Sequence, residues 1–283
     1  MSRVHVGVNV SGGDPVGTAK TAEALGFDFV SAADHPAAAR SPYEVWTLLT
    51  WIAAATSRIK VATRVLGVPY RAPALVAKMA ATLDRLSGGR LILGLGGGYS
   101  DDEFRAFGLG VPTSAEKVTG MDEAIRIMRG LWQQPRLTFT GERYRVEDAV
   151  LEPKPAHRIP IWLGTYGPRA LRVTGELADG WIPSLGFAPP DQVPALLDRI
   201  RTAAAAAGRD PDEITLAYNI EVEVDATPRP GVVCGPPDAV VEQLHGFRKL
   251  GFTAFNVMPA GPDVTEQLHL LARHVLPELE QAA

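Results

Sequence analysis

Cysteine is nearly absent from this sequence. Cys234 is the single cysteine among 283 residues. No disulfide can therefore form within the chain, which fits a reducing compartment. Residues 1–15 also lack the apolar core and small-residue cleavage site of a signal peptide. We therefore expect a cytoplasmic protein.

Long apolar runs and an excess of basic charge are missing as well. No stretch approaches the roughly 18 apolar residues that cross a bilayer, so we expect no membrane association. The net charge is −4 without a basic stripe, which argues against nucleic acid as a partner. The histidines show no metal-ligand spacing; His269 and His274, for example, are five residues apart on a predicted helix and off a common face. We predict no metal site.

The sequence does contain a regular alternation of short β-branched segments and longer helical patterns. The predicted strands cover 4–10, 27–33, 59–67, 90–96, 159–164, 180–184, 214–224 and 253–259. The helices that follow them cover 16–26, 43–56, 72–89, 115–132, 167–178, 190–208, 237–251 and 263–281. Strict alternation implies parallel strands, and eight units closing on themselves make a (β/α)8 TIM barrel of the α/β class. An open doubly wound sheet is the alternative.

Two insertion segments break the regular spacing of what we expect to be a single barrel domain over 1–283. Residues 98–114 follow the carboxyl end of the fourth strand, on the face where such barrels carry their active sites. Residues 133–158, "QQPRLTFTGERYRVEDAVLEPKPAHR", predict a short hairpin and a proline-rich approach to the fifth strand. Connectivity places this hairpin at the opposite face, unless it folds around the rim.

Polar residues at the carboxyl ends of the strands are the candidate site. Asp34 and His35 end the second strand, where an aspartate that orients an imidazole can supply a general acid or base. Asp34 can equally cap the next turn, with His35 on the surface. Thr63 and Arg64 end the third strand. A buried arginine needs a partner, so we expect Arg64 to pair with Asp34 or to contact an anionic ligand.

Two glycine-rich turns follow the fourth and fifth strands. The first contains Gly96, Gly97 and Gly98. Their bare backbone allows a ligand to approach closely and can turn amides toward an anion; a tight turn is the alternative, and the GxGxxG spacing is absent. The second turn consists of Gly164, Thr165, Tyr166, Gly167, Pro168 and Arg169. Its free amides, the helix dipole and the arginine suit a phosphate group, with an ordinary strand-to-helix joint as the alternative.

Aromatic residues near these strand ends can wall a flat ring. They are Trp46, Tyr99, Trp162 and Trp181. Each one taken singly is more often a core residue. We keep Trp162 and Trp181 as pocket candidates, because the first precedes a predicted strand end and the second lies in a short strand.

Several stretches match one known family. The chain resembles the bacterial luciferase-like monooxygenase superfamily, in particular its coenzyme F420-dependent oxidoreductases. The resemblance covers nearly the whole chain and rests on "AEALGFDFVSAADH", "PYRAPALVAKMAATLDRLSGGRLILGLGGGYSDDEFRAFG", "GERYRVEDAVLEPKP" and "IPIWLGTYGPRALRVTGELADGW". It implies a bacterial luciferase-like barrel that binds F420 or FMN at the mouth formed by the carboxyl ends of its strands.

The resemblance also implies roles for the candidate residues. A non-proline cis peptide at the end of the third strand often backs the ring in such proteins and would here join Arg64 to Val65. The family commonly has a small residue where this chain has Arg64, which offers a cation to an anionic reduced coenzyme. The phosphorylated tail would lie along residues 96–98 and 164–169. Asp34, Thr63, Arg64 and Val65 complete the expected cofactor-binding set.

Hydride transfer between F420 and a small organic substrate is the function that the resemblance favours. His35 is the expected proton partner and Asp34 the residue that orients it. His35 aligns with an acid–base histidine of the family's sugar-phosphate dehydrogenases, but Gly97 takes the place of their glutamate, so we do not expect that substrate. An FMN-dependent monooxygenase that uses O2 and a separate reductase is the alternative, and a non-catalytic flavin-binding protein is a third possibility. Family analogy adds a homodimer and an enzyme that supplies reduced coenzyme.

Overall fold

Eight parallel strands form a closed ring in the computed structural model, which describes residues 3–10, 12–37 and 43–281. The ring strands are, in order, β1 (His5–Asn9), β2 (Phe29–Ala32), β3 (Lys60–Thr63), β5 (Leu91–Gly96), β8 (Ile161–Leu163), β9 (Gly180–Trp181), β10 (Thr215–Val224) and β12 (Ala254–Pro259). The strands outside this ring are β4 (Leu66–Gly67), β6 (Leu137–Thr140), β7 (Arg145–Ala149) and β11 (Val232–Gly235). Pairing of β12 with β1 closes the ring, so the barrel prediction is confirmed and the open sheet was wrong.

Helices surround this ring. They are α1 (Pro15–Ala24), α2 (Val45–Ala55), α3 (Pro73–Ser87), α4 (Asp101–Ala106), α5 (Ser114–Gln133), α6 (Pro168–Leu177), α7 (Val193–Ala206), α8 (Pro237–Lys249), α9 (Val264–Leu270) and α10 (Leu276–Gln281). A π-helical stretch over Leu271–Val275 joins α9 to α10, where one helix was predicted. Within the described ranges, no helix combines the length and the apolarity needed to cross a membrane.

Sequence signals fix several helix ends. The Thr113 hydroxyl accepts the N–H of Glu116, and the Glu116 carboxylate accepts the N–H of Thr113, so α5 begins with a capping box. Asp14 caps α1 by accepting the N–H of Gly17. Helix α3 stops at Gly88, whose φ of 73° is a left-handed conformation that glycine adopts without steric cost.

The barrel interior is apolar toward the amino ends of its strands. Its buried cluster contains Phe29, Ala62, Ile92, Trp162, Ile182, Ala217 and Ala254. The rings of Phe29 and Trp162 meet edge to face with centroids 5.8 Å apart. Gly7 makes room for the first ring and Gly180 for the second, because a Cβ at either glycine would lie within 2.4 Å of that ring. The interior is therefore a packed core that closes the barrel below its mouth.

Three local features modify the alternation of strands and helices. The expected cis peptide between Arg64 and Val65 is confirmed, and it divides the predicted third strand into β3 and β4. Helix α4 lies in the first insertion segment, for which no element was predicted, and β11 pairs in parallel with β10 outside the eight-strand ring. Both elements were missed because six or four residues are too few to establish a period.

The predicted hairpin is confirmed as the antiparallel pair β6–β7. The buried Glu123 carboxylate on α5 accepts the backbone N–H groups of residues 142–144 at 2.6–3.0 Å. Arg143 in the same turn pairs with Glu116, in the first turn of α5. Since α5 begins on the mouth side of the barrel, the hairpin runs back along this helix toward the mouth and does not stay at the opposite face.

Candidate active site

A layer of polar side chains lies above the apolar interior, toward the carboxyl ends of the strands. Ser31 Oγ donates to Asn256 Oδ1 at 2.7 Å, and Asn256 Nδ2 donates to Asn219 Oδ1 at 2.9 Å. Asn219 Nδ2 reaches Ser184 Oγ at 3.3 Å. These bonds join β2, β12, β10 and the segment after β9 into a rigid polar floor. Sequence reasoning missed this polar floor. Its buried residues Ser31, Asn219 and Asn256 each stand two positions after a member of the apolar cluster, and two residues is the period of a strand.

Asp34 is almost fully buried and is held by the loop after β4. Its carboxylate accepts both terminal nitrogens of Arg71 at 2.8 and 3.1 Å and the N–H of Gly67 at 3.0 Å. This two-point pairing engages both carboxylate oxygens. The predictions that Asp34 orients His35 and that it pairs with Arg64 were therefore wrong. Burial alone would lower the pKa of Arg71, but Asp34 and Glu44 outweigh it and hold that pKa above its usual range.

His35 is positioned by Glu103, a residue of α4. His35 Nδ1 lies 2.9 Å from Glu103 Oε1, and the Tyr70 hydroxyl donates to Glu103 Oε2 at 2.9 Å. The Glu103 side chain is 8% exposed, whereas that of His35 is 37% exposed. A carboxylate can only accept, so Nδ1 carries the proton and Nε2 is left for exchange with a ligand. Burial, reinforced by Glu103, raises the pKa of Tyr70, which keeps this phenol a donor.

Tyr70, Arg71 and Glu103 were all missed by sequence reasoning. Ser100 followed by acidic residues is a helix-start pattern that could have revealed α4. The pairing of Glu103 with His35 joins residues 68 positions apart, and no local pattern predicts it.

Arg64 brings a positive charge to the mouth of the barrel. Its Nε donates to Asn9 Oδ1 at 3.0 Å, and in the described part of the chain its guanidinium makes no ion pair. Burial lowers the pKa of Arg64 to about 10, with Tyr166 opposing this shift. The neighbouring Thr63 directs its hydroxyl to the carbonyl of Gly94 at 2.7 Å. Thr63 thus serves strand pairing, while Arg64 is the charged group available to a ligand.

The glycines at the ends of β5 and β8 make room for the protein itself. A Cβ on Gly96 would lie 2.7 Å from Val65 Cγ2, and one on Gly164 would lie 3.3 Å from the same atom. A Cβ on Gly94 would lie 2.0 Å from the carbonyl oxygen of Thr63. Val65 therefore fills the space that these glycines leave. Packing against Val65 is by itself a sufficient reason for glycine at position 96, so the residue type alone does not indicate a ligand there.

The rest of the first glycine turn packs onto α4 and α5. Gly98 has a φ of 82°, and a Cβ there would lie 2.6 Å from the ring of Phe104. A Cβ on Gly97 would lie 3.1 Å from the Cβ of Lys117. Lys117 pairs with Asp101 at 3.0 Å, which places a cation beside the turn. The tight-turn alternative therefore accounts for Gly98.

The second glycine turn leads into α6. Gly167 provides no side-chain cap for this helix, so the first N–H groups lack a side-chain acceptor and stay open to an anion. Arg169 does not extend freely from the turn. Its guanidinium reaches α5, at the carbonyl of Ala115 (3.3 Å) and the hydroxyl of Thr119 (2.7 Å). Arg169 thus ties α6 to α5 at the same rim.

A row of aromatic rings lines one side of the mouth. The ring centroids of His35 and Tyr99 are 6.5 Å apart, those of Tyr99 and Phe187 are 6.0 Å apart, and those of Phe187 and Tyr166 are 5.4 Å apart. Tyr99 and Phe187 are more than half exposed, whereas the Tyr166 hydroxyl is fixed by accepting the N–H of Ser184. These rings present an apolar surface beside His35 that suits a flat ligand.

The tryptophans do not line the mouth. Trp46 and Trp181 lie in the hydrophobic core that the barrel strands form with the surrounding helices. The Trp181 indole is fully buried and donates to the carbonyl of Thr165 at 2.9 Å, while the Thr165 hydroxyl bonds to Thr174. Trp162 lies in the apolar interior below the polar floor. Tyr99 is the one member of the predicted aromatic set that reaches the mouth.

The site as a whole combines an oriented imidazole, a guanidinium without a counter-charge, an aromatic surface and an uncapped helix end. This combination suits a flat, anionic ligand that reacts with transfer of a proton. Within residues 3–10, 12–37 and 43–281, no three His, Cys, Asp or Glu side chains cluster closely enough to hold a metal ion.

Comparison with known sequences places this geometry in context. Residues 6–229 match the family model for the luciferase-like monooxygenases. The F420-dependent glucose-6-phosphate dehydrogenase of Nakamurella multipartita is 35% identical over 219 residues, which cover 73% of this chain and 62% of that protein. The 5,10-methylenetetrahydromethanopterin reductase of Methanolobus tindarius is 32% identical over 239 residues, covering 81% of this chain and 70% of that protein. The chain thus spans less than two thirds of the length of the Nakamurella protein.

Comparison with solved structures supports the fold. An F420-dependent secondary alcohol dehydrogenase, solved with an F420–acetone adduct, superimposes with a TM-score of 0.88 at 21% identity. The alignment covers 98% of this chain and 99% of that one. The barrel and its surrounding helices are therefore common to both proteins.

Proposed function

Because the chain belongs to the luciferase-like monooxygenase family, we propose that it is an oxidoreductase that uses coenzyme F420 to transfer a hydride to or from a small organic substrate. Relatives whose names state F420 dependence support this coenzyme. The observation that carries the proposal is His35, an imidazole fixed by a buried carboxylate beside exposed aromatic rings at the barrel mouth. Its position suits proton exchange with a ligand held in that mouth.

The residues of the mouth fit a deazaflavin coenzyme. The bound coenzyme would supply the two-electron hydride centre. Tyr99 and Phe187 offer a flat apolar surface, and Arg64 offers a cation to the ring system. The turns over 96–98 and 164–169 offer backbone amides for the phosphorylated tail, with the uncapped start of α6 as their strongest feature.

His35 exchanges the substrate proton in this proposal, through Nε2. Glu103 holds the imidazole in one tautomer and stabilises its protonated form, while Tyr70 holds Glu103. Asp34 joins the loops after β2 and β4 through Arg71. We therefore assign Asp34 a positioning role, together with Thr63 and Val65 in the backing of the coenzyme site.

The partners of this reaction follow from the same proposal. The enzyme would act in the cytoplasm, as a homodimer, on a small-molecule substrate. A separate enzyme that reduces F420 would supply the reduced coenzyme whenever the substrate is the hydride acceptor.

Titration of the purified protein tests the proposal. F420 and FMN are each added while their fluorescence is followed, and the complex is then incubated with a secondary alcohol, glucose 6-phosphate or a methylene-tetrahydropterin. We expect F420 to bind and one substrate class to change the F420 absorbance. Tight FMN binding without F420 binding would overturn the proposal in favour of a monooxygenase that uses O2. Binding of F420 without turnover of any substrate would favour a non-catalytic flavin-binding protein.

A further inference from the structure

Arg64 lies in the mouth, and no carboxylate of the described residues balances its charge. Burial lowers its pKa to about 10, so it stays protonated at neutral pH. Its hydrogen bond to Asn9 uses Nε only. Among the described residues, neither terminal nitrogen of its guanidinium has a hydrogen-bond acceptor.

The nearby carboxylates are committed elsewhere. Asp34 accepts both terminal nitrogens of Arg71. Glu103 accepts from His35 and Tyr70. The Asn9 amide, which contacts Arg64, is neutral, and the Tyr166 phenol opposes the lowering of the pKa of Arg64. The protein therefore supplies no counter-charge to Arg64 from either of the two buried carboxylates at the mouth.

The remaining donors have a defined shape. The two terminal nitrogens of a guanidinium form a planar fork that matches two oxygens, or an oxygen and a nitrogen, of one delocalised anion. Asn9 fixes the plane of this fork through Nε. The polar floor beneath it, built on Ser31, Asn219 and Asn256, is hydrogen-bonded within itself and carries no charge.

We propose that Arg64 and Asn9 form a subsite that binds a planar, delocalised monoanion in the barrel mouth. The anion is either the deprotonated ring of the reduced coenzyme or the carboxylate of a substrate, and both present the same chemistry to the fork. The first source rests on the proposed function; the second does not. The subsite makes negative charge a requirement for tight binding at this position.

Two variants of Arg64 and one matched control test the subsite. Arg64→Met removes the charge and keeps an unbranched side chain of similar length, whereas Arg64→Lys keeps the charge but loses the fork. Arg126→Met is the control, because Arg126 is an exposed arginine on α5 that pairs with Asp122. We expect unliganded Arg64→Met to melt at about the wild-type temperature, since the substitution breaks no ion pair of the described residues and only one hydrogen bond.

The first measurement uses protein without coenzyme and titrates it with benzoate by calorimetry, against neutral benzamide. The second measures the affinity for reduced F420 at a series of pH values, to find whether binding strengthens as the ring is deprotonated. In at least one of these measurements we expect Arg64→Met to weaken binding of the anion at least tenfold. Arg64→Lys should lie between it and the wild type, and Arg126→Met should match the wild type.

The outcomes separate the two sources. A loss confined to reduced F420, and largest at high pH, identifies the coenzyme ring; a loss confined to benzoate identifies a substrate carboxylate. Unchanged binding in both measurements would overturn the subsite. Failure of the wild-type protein to bind F420 would overturn the proposed function. The benzoate titration would still show whether Arg64 binds a planar anion. A fall in melting temperature of more than about 5 °C in both Arg64 variants would make Arg64 a structural residue and also overturn it.

Discussion

Asp34 and His35 are neighbours in sequence that serve different partners. The end of a barrel strand identified both as site residues, and the structure places both at the mouth. Their partners, Arg71 and Glu103, come from later loops. A strand-end rule therefore finds residues that face the mouth, whereas the hydrogen bonds between loops depend on tertiary structure that sequence reasoning lacked.

Replacement of His35 by glutamine should abolish most of the turnover. We expect kcat to fall at least 100-fold, because loss of a positioned acid–base group typically costs about 10²–10⁴ in rate. The Kd for F420 should stay within about threefold of the wild-type value. Steady-state kinetics and a fluorescence titration check these two expectations. Unchanged turnover would show that His35 is not the proton partner.

Replacement of Glu103 by glutamine should weaken His35 without removing it. We expect kcat to fall about 10- to 100-fold, as for other groups that orient a functional histidine. Glu103→Asp keeps a carboxylate and should recover part of the lost rate, because it can again hold the imidazole. Asp102→Asn, an exposed neighbour on the same helix, is the control and should leave kcat unchanged. An equal loss of rate in Glu103→Asp and Glu103→Gln would contradict this role.

At the scale of elements, periodicity predicted the eight strand–helix units of the barrel and failed on two short additions to them. The eight barrel strands and the helices around them agree with the predicted order, whereas helix α4 and strand β11 were missed. The direction of the hairpin was left open between the opposite face and the rim, and the contact of Glu123 with residues 142–144 decides for the rim. Alternation of chemistry along β2, β10 and β12 could have revealed the polar floor.

Substitution of Gly96 by alanine should disturb the mouth through Val65. The added Cβ would lie 2.7 Å from Val65 Cγ2, so we expect a loss of about 1–3 kcal/mol of stability and weaker coenzyme binding. Val65→Ala in the same protein should restore much of that loss. Gly246→Ala on α8 is the control, because open space surrounds the position. Urea denaturation of the single and double variants measures the coupling, and strictly additive effects would contradict it.

At the scale of the whole molecule, eight alternating strands and helices predicted a closed barrel, with an open sheet as the alternative that the structure excludes. Pairing of β1 with β12 leaves no free edge in the ring. The apolar interior and the polar floor divide the ring into a part that stabilises the protein and a part that meets ligands. The number of strand–helix units predicts the closed ring. The boundary between the apolar interior and the polar floor depends instead on which residues stand two positions apart along each strand.

Stability at acidic pH should depend on Asp179. Burial opposes ionisation of this carboxyl, but Arg129, the N–H of Ile161 and Arg158 together hold its pKa below the usual range. A lowered folded-state pKa gives stability that is full above about pH 4 and lost as the pH falls through the folded-state value. Asp179→Asn should therefore be less stable at pH 7 by about 2–4 kcal/mol. Its deficit should shrink below pH 4 in urea melts, and a constant deficit at every pH would contradict this account.

The contact of Val65 with Gly96 and Gly164 has an evolutionary consequence. Residues 65, 96 and 164 share one small volume, so a lineage cannot enlarge one of them without shrinking another. Across an alignment of descendants these three columns should covary, and bulky residues at 96 or 164 should coincide with a smaller one at 65. A change in the shape of this part of the mouth would then require two mutations together, so we expect its shape to change slowly in evolution.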